Sequence, residues 1–416
     1  MLDLKFIREN PDTVRRALLD RQDAAPVDEI LSLDSDRREK MLQLEELRHR
    51  RKETSRERQE AASEGRDLRL MIRALEDGVK QNDDRLKDLL LQIPNIPHPS
   101  VPVGKGSEDN IVVRTWGEPR RFDFEPLPHW KLGEALGIMD FERGVRLSGT
   151  RFYILKGPGA RLQRALIWFM LDQHTSEHGY REIYPPYMVK RESMIASGNL
   201  PKFADNLYHD AEEDYWFVPT AEVPLTSLHR DEILPAESLP LYYVAYTACF
   251  RREKMSAGKD TRGIKRGHQF DKVELYKFTE PATSYEELEK LTRDAEEVCQ
   301  KLGLPHRVVQ LCTAELGFAS SKSYDIEVWA PGYAEWLEVS SCSDCSDFQA
   351  RRANIRYRPA PDARPQFVHT LNGSGLALPR ILISVMENYQ QADGSIAVPD
   401  VLQDFVGTKV IRPDAK

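Results

Sequence analysis

The chain of 416 residues is poor in cysteine, has no long apolar run and carries no excess of positive charge. Its five cysteines, Cys249, Cys299, Cys312, Cys342 and Cys345, are odd in number and scattered. That excludes a disulfide-stapled secreted scaffold and reads as reduced, cytosolic thiols. Cys342-x-x-Cys345 has no second Cys pair or His pair at zinc-finger spacing, so no zinc is expected and both read as small core residues. No stretch approaches the roughly 18 apolar residues of a membrane helix. The start, Met1-Leu2-Asp3-Leu4-Lys5-Phe6, lacks the basic-then-apolar order of a secretory signal. A formal net charge of -8 excludes a protein that coats nucleic acid indiscriminately, so any such contact must come from local basic patches. Gly-x-x-x-x-Gly-Lys-Ser/Thr is absent, as is a credible dinucleotide fingerprint, so a bound nucleotide would be held without a P-loop. The ten histidines are scattered, and no Ser-His-Asp or Cys-His arrangement stands out.

What is present divides the chain in two, within the two to three domains that its length suggests. Residues 1–103 read as an N-terminal helical domain. Asn10-Pro11-Asp12 is a helix-start signal. From about Val27 to Ile93 the chain is charged and nearly free of Gly and Pro. Leu68, Ile72, Leu75, Val79, Asn82, Leu86, Leu89 and Ile93 follow a 4-3 spacing, a coiled-coil seam with one polar member. Ile30, Leu33, Met41, Leu44 and Leu47 supply the partner helix, and Ser63-Glu64-Gly65 is the expected hairpin tip. The simplest solution is an antiparallel two-helix arm over about residues 30–92, each helix about 45 Å long. Near the tip, Arg48, Arg50, Arg51, Arg56 and Arg58 form a basic cluster on an acidic protein, the pattern of a surface that grips RNA phosphates. A Pro-rich linker, Ile93-Pro94-Asn95-Ile96-Pro97-His98-Pro99, ends the arm. In residues 104–416, short β-rich runs outnumber helices without a regular βαβ rhythm. The fold class is therefore α+β, an antiparallel sheet flanked by helices.

The chemistry concentrates in a few stretches. Cys249-Phe250-Arg251-Arg252-Glu253 runs into a loop rich in Gly, Lys and Arg and returns as His268-Gln269-Phe270-Asp271-Lys272-Val273-Glu274. A mobile cationic turn suits a polyanion, an Arg at its base can grip a phosphate bidentately, and a returning aromatic can stack on a flat base. Three further stretches accompany it: Thr220-Ala221-Glu222; Glu338-Val339-Ser340-Ser341 continuing to Asp347-Phe348-Gln349-Ala350-Arg351-Arg352; and Thr370-Leu371-Asn372-Gly373-Ser374-Gly375-Leu376.

Together these resemble the class II aminoacyl-tRNA synthetases and, within them, the bacterial-type seryl-tRNA synthetase family, over nearly the whole chain and in the family's order. The resemblance implies ATP-dependent activation of L-serine and transfer of the seryl group to tRNA-Ser, and to selenocysteine tRNA where that RNA exists, by a cytoplasmic homodimer. It implies that Arg251, Arg252, Glu253, Phe270, Glu338, Val339, Ser340, Ser341 and Arg380 bind ATP, with Arg251, Glu338 and Arg380 catalytic. It implies that Thr220, Ala221, Glu222, Glu274 and Ser374 bind serine, and that Glu338 and Ser341 hold Mg²⁺, an ion suited to hard oxygen ligands. On a regular strand Glu338 and Ser341 would face opposite ways, so a local bend is expected between them. Gly179 with Pro185-Pro186 resembles motif 1, which lies at the family's dimer interface. Pro379 and Leu337 depart from the usual family residues. Two rivals compete: a synthetase-like paralogue that charges a carrier protein or has lost catalysis, and a coiled-coil interaction protein.

Overall fold

The computed structural model describes residues 1–54, 61–254 and 262–413, residues 54 and 61–64 by backbone alone. The chain divides into two compact units, Met1–Ile96 and Pro97–Lys416. The boundary falls inside the Pro-rich linker rather than at residue 103, because the next residues bond to the second unit. His98 donates its amide to Ser321 O at 2.9 Å, Thr313 donates its amide to Pro102 O at 2.9 Å, and Val101 packs with Leu311 and Leu316.

Among its described residues the first unit has four helices, α1 (Leu4–Glu9), α2 (Pro11–Asp20), α3 (Val27–Thr54) and α4 (Ala61–Leu90). Asp3 caps α1 by accepting from the amides of Lys5 and Phe6. Pro11 opens α2, where a missing amide costs nothing. In the α3–α4 pair, Leu68, Ile72, Asn82, Leu86 and Leu89 of α4 are buried and Leu75 and Val79 half-buried, which is the expected seam. Asn82 donates to Asp36 Oδ2 of α3 at 2.7 Å, so its buried amide is satisfied. Lys40 and Asn82 together hold the Asp36 carboxyl below the usual carboxylate range.

Two expectations for the arm fail. Met41 is 38% exposed. The seam position goes to Lys40, one residue earlier, whose aliphatic stem lies over Gly78 of α4. Ser63-Glu64-Gly65 is not the tip, because α4 already begins at Ala61. A glycine inside a helix costs about 1 kcal/mol against alanine, too little to break a helix of 30 residues. Arg48 pairs with Glu76 of α4 at 2.8 Å, Arg50 and Arg51 are exposed on α3, and Arg56 and Arg58 lie outside the described residues.

Among the described residues the large sheet of the second unit has eight strands, β1 (Ile111–Trp116), β2 (Arg181–Glu182), β3 (Leu241–Phe250), β4 (Gln269–Thr279), β5 (His306–Gln310), β6 (Lys322–Ala330), β7 (Glu335–Asp344) and β8 (His369–Ala377). Their order is β1-β5-β6-β7-β8-β4-β3-β2. Every pair is antiparallel except β2 with β3. The sheet is accompanied by α5 (Pro158–Ser176), α6 (Arg191–Ser197), α7 (Glu222–Thr226), α8 (Ser284–Lys301), α9 (Phe348–Ala353) and α10 (Leu378–Asn388). Leu162, Leu166 and Met170 of α5, Leu288, Leu291 and Val298 of α8, and Ile381, Leu382 and Val385 of α10 pack against Val273 and Leu275 of β4 and Val339 of β7. This is the expected α+β class. Among the described residues no helix is long and apolar enough to cross a membrane.

Candidate active site

Strand periodicity sends Val273 and Leu275 to the core, so Phe270, Lys272 and Glu274 of β4 face the other way. There they floor a cavity of about 440 Å³. Ser374 lies opposite Glu274 in the β4–β8 ladder, and Asn372 pairs with Ser343 across β7 and β8; all of these line the cavity. β7 reaches it through a β-bulge. Ser341 faces Asp325, Ser340 faces Ile326 and Glu338 faces Glu327, leaving Val339 without an opposite residue. Val339 and Ser340 therefore both turn inward and are buried, while Glu338 and Ser341 share the cavity face. That is the local bend expected between Glu338 and Ser341.

The cations gather at the hairpin end of the cavity. Arg251 donates from Nε to Pro219 O at 3.1 Å and lies 5.0 Å over the Phe270 ring. His268 Nδ1 donates to Arg251 O at 2.9 Å, closing the base of the hairpin. Glu253 turns the chain with φ +51, and its carboxylate lies 3.6 Å from Arg266. Arg380, in the first turn of α10, is 2.8 Å from Glu338 O and 3.0 Å from Glu338 Oε1. The preceding Pro379 sits where a helix tolerates proline, and Leu337 is buried in the core.

The carboxylates dominate the other end. Thr220 Oγ1 accepts from the Glu222 amide at 3.2 Å at the start of α7. Glu222 Oε1 accepts from Gln349 Nε2 at 2.6 Å and from Asn372 Nδ2 at 3.3 Å. Gln349 has no freedom to turn its amide, because its oxygen accepts from Tyr276 at 2.9 Å and Thr370 at 2.7 Å. Burial, and then the neighbouring Glu274, push the Glu222 carboxyl up to about 7. Glu274 itself pairs with Lys272.

Ten of the expected residues thus line one cavity: Thr220, Glu222, Arg251, Glu253, Phe270, Glu274, Glu338, Ser341, Ser374 and Arg380. Four do not. Ala221 is core, because it precedes a helix whose inner face it fills. Arg252 donates to Leu207 O at 2.8 Å and stacks 4.8 Å over Tyr208, anchoring the neighbouring segment. Val339 and Ser340 point inward through the bulge. Cys342 lies against Ser340 Oγ at 3.4 Å and Cys345 against Asn372 Nδ2 at 3.5 Å, both behind the site.

Sequence reasoning counted Arg266 only among the cations of the hairpin turn and gave no role to Gln349, Asn372, Lys272 or Asp325. Gln349 and Asn372 occur within the motif stretches, but nothing in one dimension says that they meet Glu222. Asp325, opposite Ser341, keeps Oδ1 buried and without a hydrogen-bond partner among the described residues. Among the described residues no three His, Cys, Asp or Glu side chains form a ligand set of their own. Glu338, Ser341 and the Asp325 oxygen are hard oxygen donors of the kind suited to an ion that keeps waters and phosphate oxygens in its shell.

A nucleotide-sized cavity on an antiparallel sheet, with arginines and an aromatic at one end and no glycine phosphate loop, defines the catalytic core of a class II aminoacyl-tRNA synthetase. Residues 203–389 match the tRNA synthetase class II core domain (G, H, P, S and T), and residues 1–97 match the Seryl-tRNA synthetase N-terminal domain. Serine--tRNA ligase of Dehalococcoides mccartyi is 66% identical over 413 residues, covering 99% of this chain and 100% of the relative. That of Thermomicrobium roseum is 58% identical, covering 98% and 94%. The crystal structure of seryl-tRNA synthetase from Pyrococcus horikoshii, complexed with ATP, matches with a TM-score of 0.95 at 40% identity, covering 100% of both chains. The chain belongs to the seryl-tRNA synthetase family.

Proposed function

We propose that the protein activates L-serine with ATP and transfers the seryl group to tRNA-Ser, and to selenocysteine tRNA where that RNA is present. The observation that carries this is the polarity of one cavity: a carboxylate-lined end at Glu222, Glu274 and Ser374 joined to a cationic end at Arg251 and Arg380. Serine's carboxylate is ionised at neutral pH and needs no general base. It attacks the α-phosphorus of ATP, pyrophosphate leaves, and catalysis rests on positioning and charge stabilisation.

In this reading Arg251 holds the α-phosphate, Phe270 takes one adenine face, Glu253 reads the adenine amino group, and Arg380 closes the other face. Glu338 and Ser341 hold the Mg²⁺ that accompanies ATP and neutralises phosphate charge. Glu222 meets serine's ammonium and Glu274 its hydroxyl. A site whose buried polar groups pair with a hydroxyl rejects alanine strongly. The terminal ribose hydroxyl of the tRNA then takes the seryl group. The arm's Arg48, Arg50, Arg51, Arg56 and Arg58 meet RNA phosphates, and Gly179 with Pro185-Pro186 marks the face of a cytoplasmic homodimer.

Pyrophosphate exchange into ATP tests the reading, followed by charging of tRNA. Exchange should depend on serine and Mg²⁺ and be far weaker with threonine, alanine or glycine. Equal rates with alanine would overturn it.

A further inference from the structure

The carbonyls of Ser374 and Gly375 are both held by side chains. The β4–β8 register is regular up to Ser374 opposite Glu274, then slips and resumes at Ala377 opposite Lys272. Inside the slip, Ser340 Oγ donates to Ser374 O at 2.6 Å and the Leu376 amide faces Met170 Sδ at 3.0 Å. His174 Nε2 lies 3.1 Å from Gly375 O. Met170 and His174 are one turn apart on α5 and share a face. A Cβ on residue 375 would sit 2.7 Å from His174 Nε2, so glycine there is what admits the ring.

The protons on His174 are dictated by its partners. A carbonyl only accepts, so Nε2 carries a proton. Nδ1 is 2.9 Å from Nδ1 of His178, and in a neutral His174 it is the acceptor of that pair. His178 Nε2 is 3.1 Å from Glu297 Oε2, a second acceptor. The chain from Glu297 to Gly375 is therefore complete only when His178 carries both of its protons. His174 takes no second proton at working pH, since burial and then His178 push it down to about 3. Lys301 of α8 also faces this pair, bound to Glu177 and, at 3.3 Å, to Glu297. The Tyr180 ring packs 5.8 Å from His174 and its hydroxyl donates to Asp294 at 2.8 Å.

We propose that His174 is a positioning residue for the serine end of the cavity, and that a donor at His178 Nδ1 keeps its proton at Nε2, on Gly375 O. Were that proton at Nδ1 instead, Gly375 O would lose this bond. The Ser374 turn would loosen, while Arg251 and Arg380 at the phosphate end would be untouched.

The proposal rests on serine binding beside Ser374, and its test has one arm independent of that reading. In histidine-labelled full-length enzyme, ¹⁵N NMR should show His174 protonated at Nε2. His174→Leu should raise the KM for serine in pyrophosphate exchange about fivefold, the effect of one lost hydrogen bond, with the KM for ATP unchanged. His174→Gln, whose amide can donate to Gly375, should restore a low serine KM. His174 protonated at Nδ1 would overturn the proposal, as would a leucine variant with an unchanged serine KM. Should His174→Leu fail to fold, the NMR measurement on the unmodified enzyme still decides. Absence of serine-dependent exchange in that enzyme would refute the substrate instead, and the NMR arm would still judge the bracing.

Discussion

Replacing Glu222 by Gln should stabilise the protein while impairing its use of serine. Burial and the adjacent Glu274 move the Glu222 carboxyl from the ordinary 4.5 to about 7. Between those values the folded chain keeps a proton that the unfolded chain has released, so the fold loses stability as pH rises through this window. The penalty is absent below pH ~4.5 and complete above pH ~7. Such a displacement corresponds to about 3 kcal/mol between the two protonation states. Glu222 opens on one side to the cavity, and solvent screening there brings the expected effect to about 2 kcal/mol. Glutamine keeps an oxygen for Gln349 and Asn372 and removes the charge beside Glu274. Calorimetric melts of the ligand-free proteins should therefore show Glu222→Gln melting several degrees above the parent at alkaline pH and equal to it in mild acid. A variant that melts below the parent at alkaline pH, or a difference that does not change with pH, would refute the reasoning.

Other outcomes follow from the same geometry. Arg251→Lys keeps the charge but loses the planar fork, so pyrophosphate exchange should fall about 100-fold with a nearly unchanged serine KM; a loss under about threefold would contradict the assignment. Glu338→Ala removes a side chain whose partner is Arg380; adenylate formation should be lost without a fall in melting temperature, and excess Mg²⁺ should not restore it. Asn82→Leu should strengthen the arm by about 1 kcal/mol, read as slower amide exchange in α4, whereas faster exchange would show that the Asp36 bond outweighs apolar packing. Changing Arg50, Arg51, Arg56 and Arg58 together to Ala should weaken tRNA binding and flatten its salt dependence by about 3–4 in logarithmic slope, with pyrophosphate exchange intact; unchanged charging at physiological salt would make the arm a spacer.

The residues that share the cavity were legible where one short segment contains them all. Arg251, Phe270 and Glu274 sit on a hairpin whose period-two alternation is regular, and Leu68 to Leu89 keep a regular seam. Reading stopped where partners come from distant segments. Gln349 is identifiable as the clamp on Glu222 only once Tyr276 and Thr370 are seen to fix its oxygen. The arm failed at Met41 because a lysine stem can occupy an apolar seam when a glycine, Gly78, leaves room for it. The tip was misplaced at Gly65 because one weak helix former was taken for a break. The bulge was demanded by the pairing of Glu338 with Ser341, but its place at Val339 depends on the register of β6, which no local pattern encodes.

That bulge also sets how β7 meets β8. Without residue 339, Glu338 and Ser341 would be two apart and would still share a face. The additional residue, taken up by the bulge, therefore leaves the shared face of the pair intact. It creates a second inward-facing position, so that Val339 fills the core while Ser340 reaches across to Ser374 O. The slip in β8 begins at that same Ser374. Beyond their ladder at residues 342–344 and 371–373, two strands that are each out of step with another neighbour are thus joined once more through one hydroxyl, like two gears sharing one tooth.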